Sequence, residues 1–118
     1  ICPARAGQIA VAWAIPHLKD WRRQNRDDIL ARAQVFREAI GRHPAWAVET
    51  IGAFFAYLRH PFAGADAVDV AEQLARERGV LALPGSWFGP GQERYLRVAF
   101  ANVATEQVAE LGDRLDGF

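Results

Sequence analysis

Few residues in this chain have the type and spacing to do chemistry, and the most informative is an arginine. Arg97 lies in Tyr95-Leu96-Arg97-Val98-Ala99-Phe100-Ala101, a run that alternates as a strand does. Leu96, Val98 and Phe100 fall on one face; Tyr95, Arg97, Ala99 and Ala101 fall on the other. A guanidinium cannot lose its proton, so a covered Arg97 requires an anion, and its planar fork of donors matches a carboxylate. The strand alone also allows, and favours, a blander reading: a solvated face or edge strand on which Arg97 pairs with a neighbour such as Glu93. Just upstream, Gly85-Ser86-Trp87-Phe88-Gly89-Pro90-Gly91 is a glycine-rich loop with two large aromatics. It reads equally as a binding or docking surface or as a loop folded back over its own core.

The remaining reactive types do not assemble. His17, His43 and His60 are far apart and lack the spacing of metal ligands, so each reads as a surface or turn histidine. Ser86 is the only serine, and its surroundings are not a nucleophile elbow. The loop lacks the lysine and following helix of a phosphate loop. Lys19, the sole lysine, sits in Pro16-His17-Leu18-Lys19-Asp20-Trp21 and reads as a surface residue. No catalytic, cofactor-binding or metal-binding residue is therefore assigned. What stands out is one arginine in an apolar strand beside an aromatic loop.

The elements that must position it follow from periodicity. Residues 3–15 read as a helix with Ile9, Ala10, Trp13 and Ala14 along one stripe, broken or kinked by Pro16. A missing cover would leave Trp13 exposed. Residues 17–41 read as a second helix, with Ile29, Ala33, Phe36 and Ile40 on one face and Gly41 at its end. Trp21, Arg22, Arg23 and Arg26 look like a basic patch, but a solvated helix face is the preferred reading. Residues 46–50 and 53–58 are strands, with Ile51-Gly52 a turn or bulge between them. Asp66 caps a helix over 67–78 that Gly79 ends. A short strand covers 80–84, the Arg97 strand covers 95–101, and Thr105 caps a last helix with Val108, Leu111 and Leu115 inward. The expected fold is α+β: a small, mostly antiparallel sheet packed by helices, in the order ααββαββα.

Composition bounds the rest. The chain has 118 residues and a formal net charge of zero, which suits one domain over 1–118 and points to neither nucleic acid nor membrane as a partner. Within it, 1–41 is a helical segment and 46–118 the α+β unit. A single cysteine, Cys2, suits a reducing, cytoplasmic compartment. The absence of methionine and the start on Ile1-Cys2-Pro3 lead us to expect a C-terminal piece of a longer protein.

Several of these stretches together resemble a family. Gly79-Val80, Leu83-Pro84-Gly85, Phe88-Gly89, Gly91, and Tyr95-Leu96-Arg97 with Phe100-Ala101 are similar, in that order, to the C-terminal signature of class I/II aminotransferases. These are fold-type-I enzymes that use pyridoxal phosphate. Gly52-Ala53-Phe54-Phe55-Ala56-Tyr57 resembles the family's glycine-then-aromatic strand, and Cys2-Pro3-Ala4-Arg5-Ala6-Gly7-Gln8 the segment after its large domain. The resemblance implies that Arg97 binds the α-carboxylate of an amino-acid or 2-oxo-acid substrate through a two-pronged salt bridge. It implies that Phe54 lines the pocket and that the loop bearing Ser86 and Phe88 flanks the substrate. It also implies a homodimer, and a large domain holding the cofactor, its lysine and its phosphate cup. Those parts have no counterpart here, so this stretch should bind no cofactor and be inactive by itself. Two other readings stay open: a lyase or decarboxylase of the same fold type, and a stand-alone α+β module for a small carboxylate.

Overall fold

The computed structural model describes residues 2–118. Its elements are α1 (Arg5–His17), α2 (Lys19–Gly41), β1 (Ala47–Gly52), β2 (Phe55–Arg59), α3 (Ala67–Arg78), β3 (Leu83–Pro84), a 3-10 turn (Gly85–Phe88), β4 (Tyr95–Ala99) and α4 (Thr105–Leu115). The strands form one antiparallel sheet in the order β1-β2-β4-β3. The expected α+β class and element order hold.

Alternation sorts this sheet into two unlike faces. Ala56, Leu58, Leu96, Val98 and the following Phe100 are buried. They share a core with Phe36 and Ile40 of α2, Val70 and Leu74 of α3, and Val108, Leu111 and Leu115 of α4. Phe55, Tyr57, Tyr95 and Arg97 lie on the other face and keep some exposure. That second face presents the candidate site. α1 stands apart: it buries no residue, and Ile9, Val11, Trp13 and Ile15 are all exposed.

Capping fixes α3 where the sequence placed it. The Asp66 carboxylate accepts from the Val68 N–H at 2.8 Å, and Gly79 closes the helix in the left-handed region at φ 63°. Four local expectations change. α1 runs through Pro16 to His17, because the proline ring falls in its last turn and removes only one hydrogen-bond donor. The 80–84 strand shrinks to Leu83–Pro84, because the N–H groups of Gly79 and Val80 both bond back to the Leu74 carbonyl and close the helix. Ile51-Gly52 is strand; the turn is Ala53-Phe54, and the β1 irregularity lies between Val48 and Thr50. Thr105 is not the cap of α4. Ala104 holds that position, and its N–H donates to Gln107 Oε1 at 3.1 Å.

Candidate functional site around Arg97

β4 is an inner strand, so Arg97 has neighbours on both sides. On one side Tyr57 of β2 pairs with it directly, and Phe55 pairs with Ala99. On the other side Leu83 of β3 pairs with it. The chain leaves β3 into the 3-10 turn, which packs against β4 and carries Ser86 and Phe88. The central carbon of the Arg97 guanidinium lies 4.6 Å from the Phe55 ring centroid and 4.3 Å from that of Phe88. Two aromatic faces thus hold one cation.

No carboxylate among the described residues comes within ion-pairing distance of Arg97. Its Nε is buried without a hydrogen-bond partner. The expected pairing with Glu93 does not form, because the Glu93 carboxylate turns to its own loop and accepts the Gly91 N–H at 3.2 Å. The edge-strand reading also fails, since β4 is flanked on both sides.

The walls of the site are built by close approach. Tyr57 stacks on Tyr95 with centroids 5.1 Å apart and donates to Gln92 Oε1 at 2.9 Å. Burial, reinforced by the neighbouring Tyr95, raises the Tyr57 pKa, so the phenol keeps its proton at neutral pH. Gly85 wedges into this corner. A Cβ there would stand 2.5 Å from the Gln92 carbonyl oxygen, 2.6 Å from that of Tyr95 and 2.8 Å from the Tyr57 hydroxyl. Only glycine lets the turn reach β4 closely enough to seat Phe88 on Arg97.

The other sequence-derived residues divide. Phe88 touches Arg97, and Ser86 lies in the same turn with a buried Oγ that has no partner. Phe54 is not brought to Arg97. It occupies the β1–β2 turn, exposed, in a groove lined by Arg22, Ile29 and Leu30 of α2. The neighbouring Phe55 takes the place beside Arg97. The signal was present in the sequence: the alternation that put Phe55 and Tyr57 on one face of β2 excluded Phe54 from it. Lys19 is exposed at the start of α2, as expected. His60 is not a surface residue but fully buried, with its Nε2 3.0 Å from the Glu93 carbonyl oxygen. No group of histidine, cysteine and carboxylate side chains among the described residues could hold a metal ion. Among the described residues, no helix is long and apolar enough to cross a membrane.

The family model for aminotransferase class I and II matches residues 1–115. Aromatic-amino-acid aminotransferase 2 of Thermococcus litoralis is 27% identical over 117 residues, 98% of this chain and 30% of that protein. Aspartate aminotransferase of Pyrococcus abyssi is also 27% identical, with the same coverage. Among solved structures, an aromatic aminotransferase from Pyrococcus horikoshii superposes with a TM-score of 0.78 at 26% identity, over 96% of this chain and 31% of its own. N-succinyldiaminopimelate aminotransferase from Mycobacterium tuberculosis gives 0.76 at 25% identity, over 92% and 29%. The chain therefore spans about a third of the length of the relatives it matches, along nearly all of its own. The match over residues 1–115 and the shared fold place this chain in the class I and II aminotransferase family.

Proposed function

We propose that Arg97 is the substrate-carboxylate clamp of a pyridoxal-phosphate-dependent aminotransferase, and that this chain is its C-terminal domain. The whole protein would move an amino group from an amino acid to a 2-oxo acid. The observation that carries this reading is the state of Arg97: a partly covered guanidinium, held by two rings, with no anion of its own. A cation left in that state is tolerable where the anion arrives with a ligand. Binding the carboxylate at two points fixes the orientation of the carbon next to it, and such positioning lowers the barrier. Ser86, with its buried and unpartnered hydroxyl, is a further donor in the same turn. The names of the relatives favour amino transfer over the lyase or decarboxylase reading.

The residues described here do not fit the cofactor itself. The one lysine is exposed on α2, and the loop of 85–91 has no basic residue with which to hold a phosphate. In the proposed whole protein the cofactor belongs to the large domain, and the protein acts as a cytoplasmic homodimer.

The test is steady-state kinetics on the full-length parent. Arg97→Ala should lower kcat/KM for amino-acid donors by about 2–5 kcal/mol of transition-state binding, or roughly 30-fold to several thousand-fold. Arg97→Lys should recover only part of this, because a point charge cannot make the two-pronged pair. An unchanged kcat/KM in Arg97→Ala refutes the role.

A further inference from the structure

We infer that Phe55 is a positioning residue: it fixes the plane of the Arg97 guanidinium and thereby the plane in which a carboxylate can be bound. The inference rests on reading Arg97 as the carboxylate clamp, and goes beyond it to say how the clamp is held ready while empty.

An arginine on a strand has a long, flexible side chain that must be oriented by something. A neighbouring Asp or Glu would do so by occupying its N–H donors, and an incoming carboxylate would then have to displace it. An aromatic ring acts differently. The five donors of a guanidinium lie in its plane and point outward from its edge. A ring packed over its face fixes the plane and uses none of them. Arg97 is in this second condition. Its central carbon lies over the rings of both Phe55 and Phe88, while no carboxylate among the described residues is within reach.

The fold delivers the two rings from opposite flanks of β4. Phe88 comes from the turn after β3, and Phe55 from the first position of β2. Phe55 pairs across the sheet with Ala99, two residues beyond Arg97 on the same face. The small side chain at position 99 leaves room above it for the guanidinium to lie against Phe55. Phe55 is 40% exposed and takes no part in the hydrophobic core. Within this chain the Phe55 ring makes its cation contact with Arg97.

The experiment uses the cofactor-loaded full-length protein and calorimetric titration with 3-phenylpropionate and its amide, 3-phenylpropionamide. These probes share the phenylpropyl skeleton and differ at the head group, where a neutral amide with an NH2 donor replaces the charged, acceptor-only carboxylate. The variants are Phe55→Leu and Phe55→Ile, which remove the ring and keep an apolar strand residue, with Phe55→Tyr as the conservative rescue. Loss of one ring should weaken carboxylate binding by about 2- to 30-fold. Amide binding should stay unchanged, and Phe55→Tyr should restore the wild-type affinity. If both aliphatic variants bind the acid as wild type does, or lose acid and amide equally, Phe55 does not position Arg97. Arg97→Ala separates this from failure of the underlying reading. Should the wild-type preference for acid over amide survive in Arg97→Ala, Arg97 is not the clamp and the inference falls with it.

Discussion

Gly85→Ala offers the sharpest test of how the site is assembled. A methyl group at position 85 meets two backbone carbonyl oxygens, of Gln92 and Tyr95, at 2.5 and 2.6 Å, and the Tyr57 hydroxyl at 2.8 Å. The carbonyls belong to the loop that leads into β4 and to its first residue, so they cannot rotate away. Overpacking of this kind costs about 1–3 kcal/mol. Displacing the Tyr57 hydroxyl adds the loss of its 2.9 Å bond to Gln92, about 1 kcal/mol more. The expected total is about 2–4 kcal/mol. Gly112→Ala is the control, because there too the new methyl group lands on a neighbour, the Arg42 guanidinium. That group ends a half-exposed side chain that can swing into solvent. Its displacement breaks an exposed ion pair to Asp113 and a 3.2 Å bond to the Ala109 carbonyl, each contributing up to about 1 kcal/mol, while alanine gains about 1 kcal/mol of helix propensity. The control should lie within about 1 kcal/mol of wild type. Urea unfolding followed by tryptophan fluorescence measures both. With a slope of about 2 kcal/mol per molar for a small protein, Gly85→Ala should lower the midpoint by roughly 1–2 M, and Gly112→Ala by no more than about 0.5 M. Equal midpoints for the two variants would show that the turn yields at Gly85, and the account of how Phe88 is seated would be wrong.

Two further outcomes test other parts of the fold. Burial pushes the His60 pKa below its ordinary value; the Glu93 carbonyl opposes this, Arg94 adds to it, and Asp66 opposes it. The sign follows: His60 is neutral when folded, so its contribution is complete above the unfolded pKa of about 6.5 and is lost as pH falls below it. Stability should drop by at most about 1.4 kcal/mol per pH unit as pH falls below about 6.5, and the slope should shrink in His60→Gln; a slope unaltered by that substitution would assign the effect elsewhere. Ala53 has a positive φ of 49°, which costs a residue with a Cβ about 1–2 kcal/mol, whereas glycine loses about 0.5–1 kcal/mol in chain entropy. Ala53→Gly should therefore stabilise the protein by about 0.5–1 kcal/mol in the same urea assay, and a destabilised variant would contradict the strain.

What could be read from the sequence was whatever a short stretch decides alone. Asp66 and Gly79 each act on their own helix end, so α3 came out with its observed limits. Strand alternation around Arg97 was equally local, and it separated the buried Leu96 and Val98 from the site face correctly. The parts that failed depend on where a hydrogen bond goes. Val80 and Leu81 look like strand, but the Val80 N–H closes α3, and Leu81 is exposed. Phe54, given to the pocket by the family resemblance alone, sits in the β1–β2 turn that a left-handed Ala53 begins, and Phe55 is the ring over Arg97. Whether Arg97 pairs with Glu93 was a question that strand alternation does not decide. It turned on Glu93 closing the loop at Gly91.

The arrangement around Arg97 is in the end a consequence of register. Shifting β2 by one residue against β4 would exchange its faces, setting Phe55 against the core and Ala56 beside the arginine. The protein fixes this register at both ends of the pair. At the Arg59 end, the His60 N–H bonds to the Arg94 carbonyl at 3.1 Å, the His60 ring meets the Glu93 carbonyl, and the Arg94 guanidinium donates back to the His60 carbonyl at 2.9 Å. At the Phe55 end, the Phe100 N–H bonds to the Phe54 carbonyl at 3.1 Å. His60, buried without any contact to Arg97 of its own, thus belongs to the site as much as to the core. It closes one end of the strand pair on which two phenylalanines can meet one guanidinium.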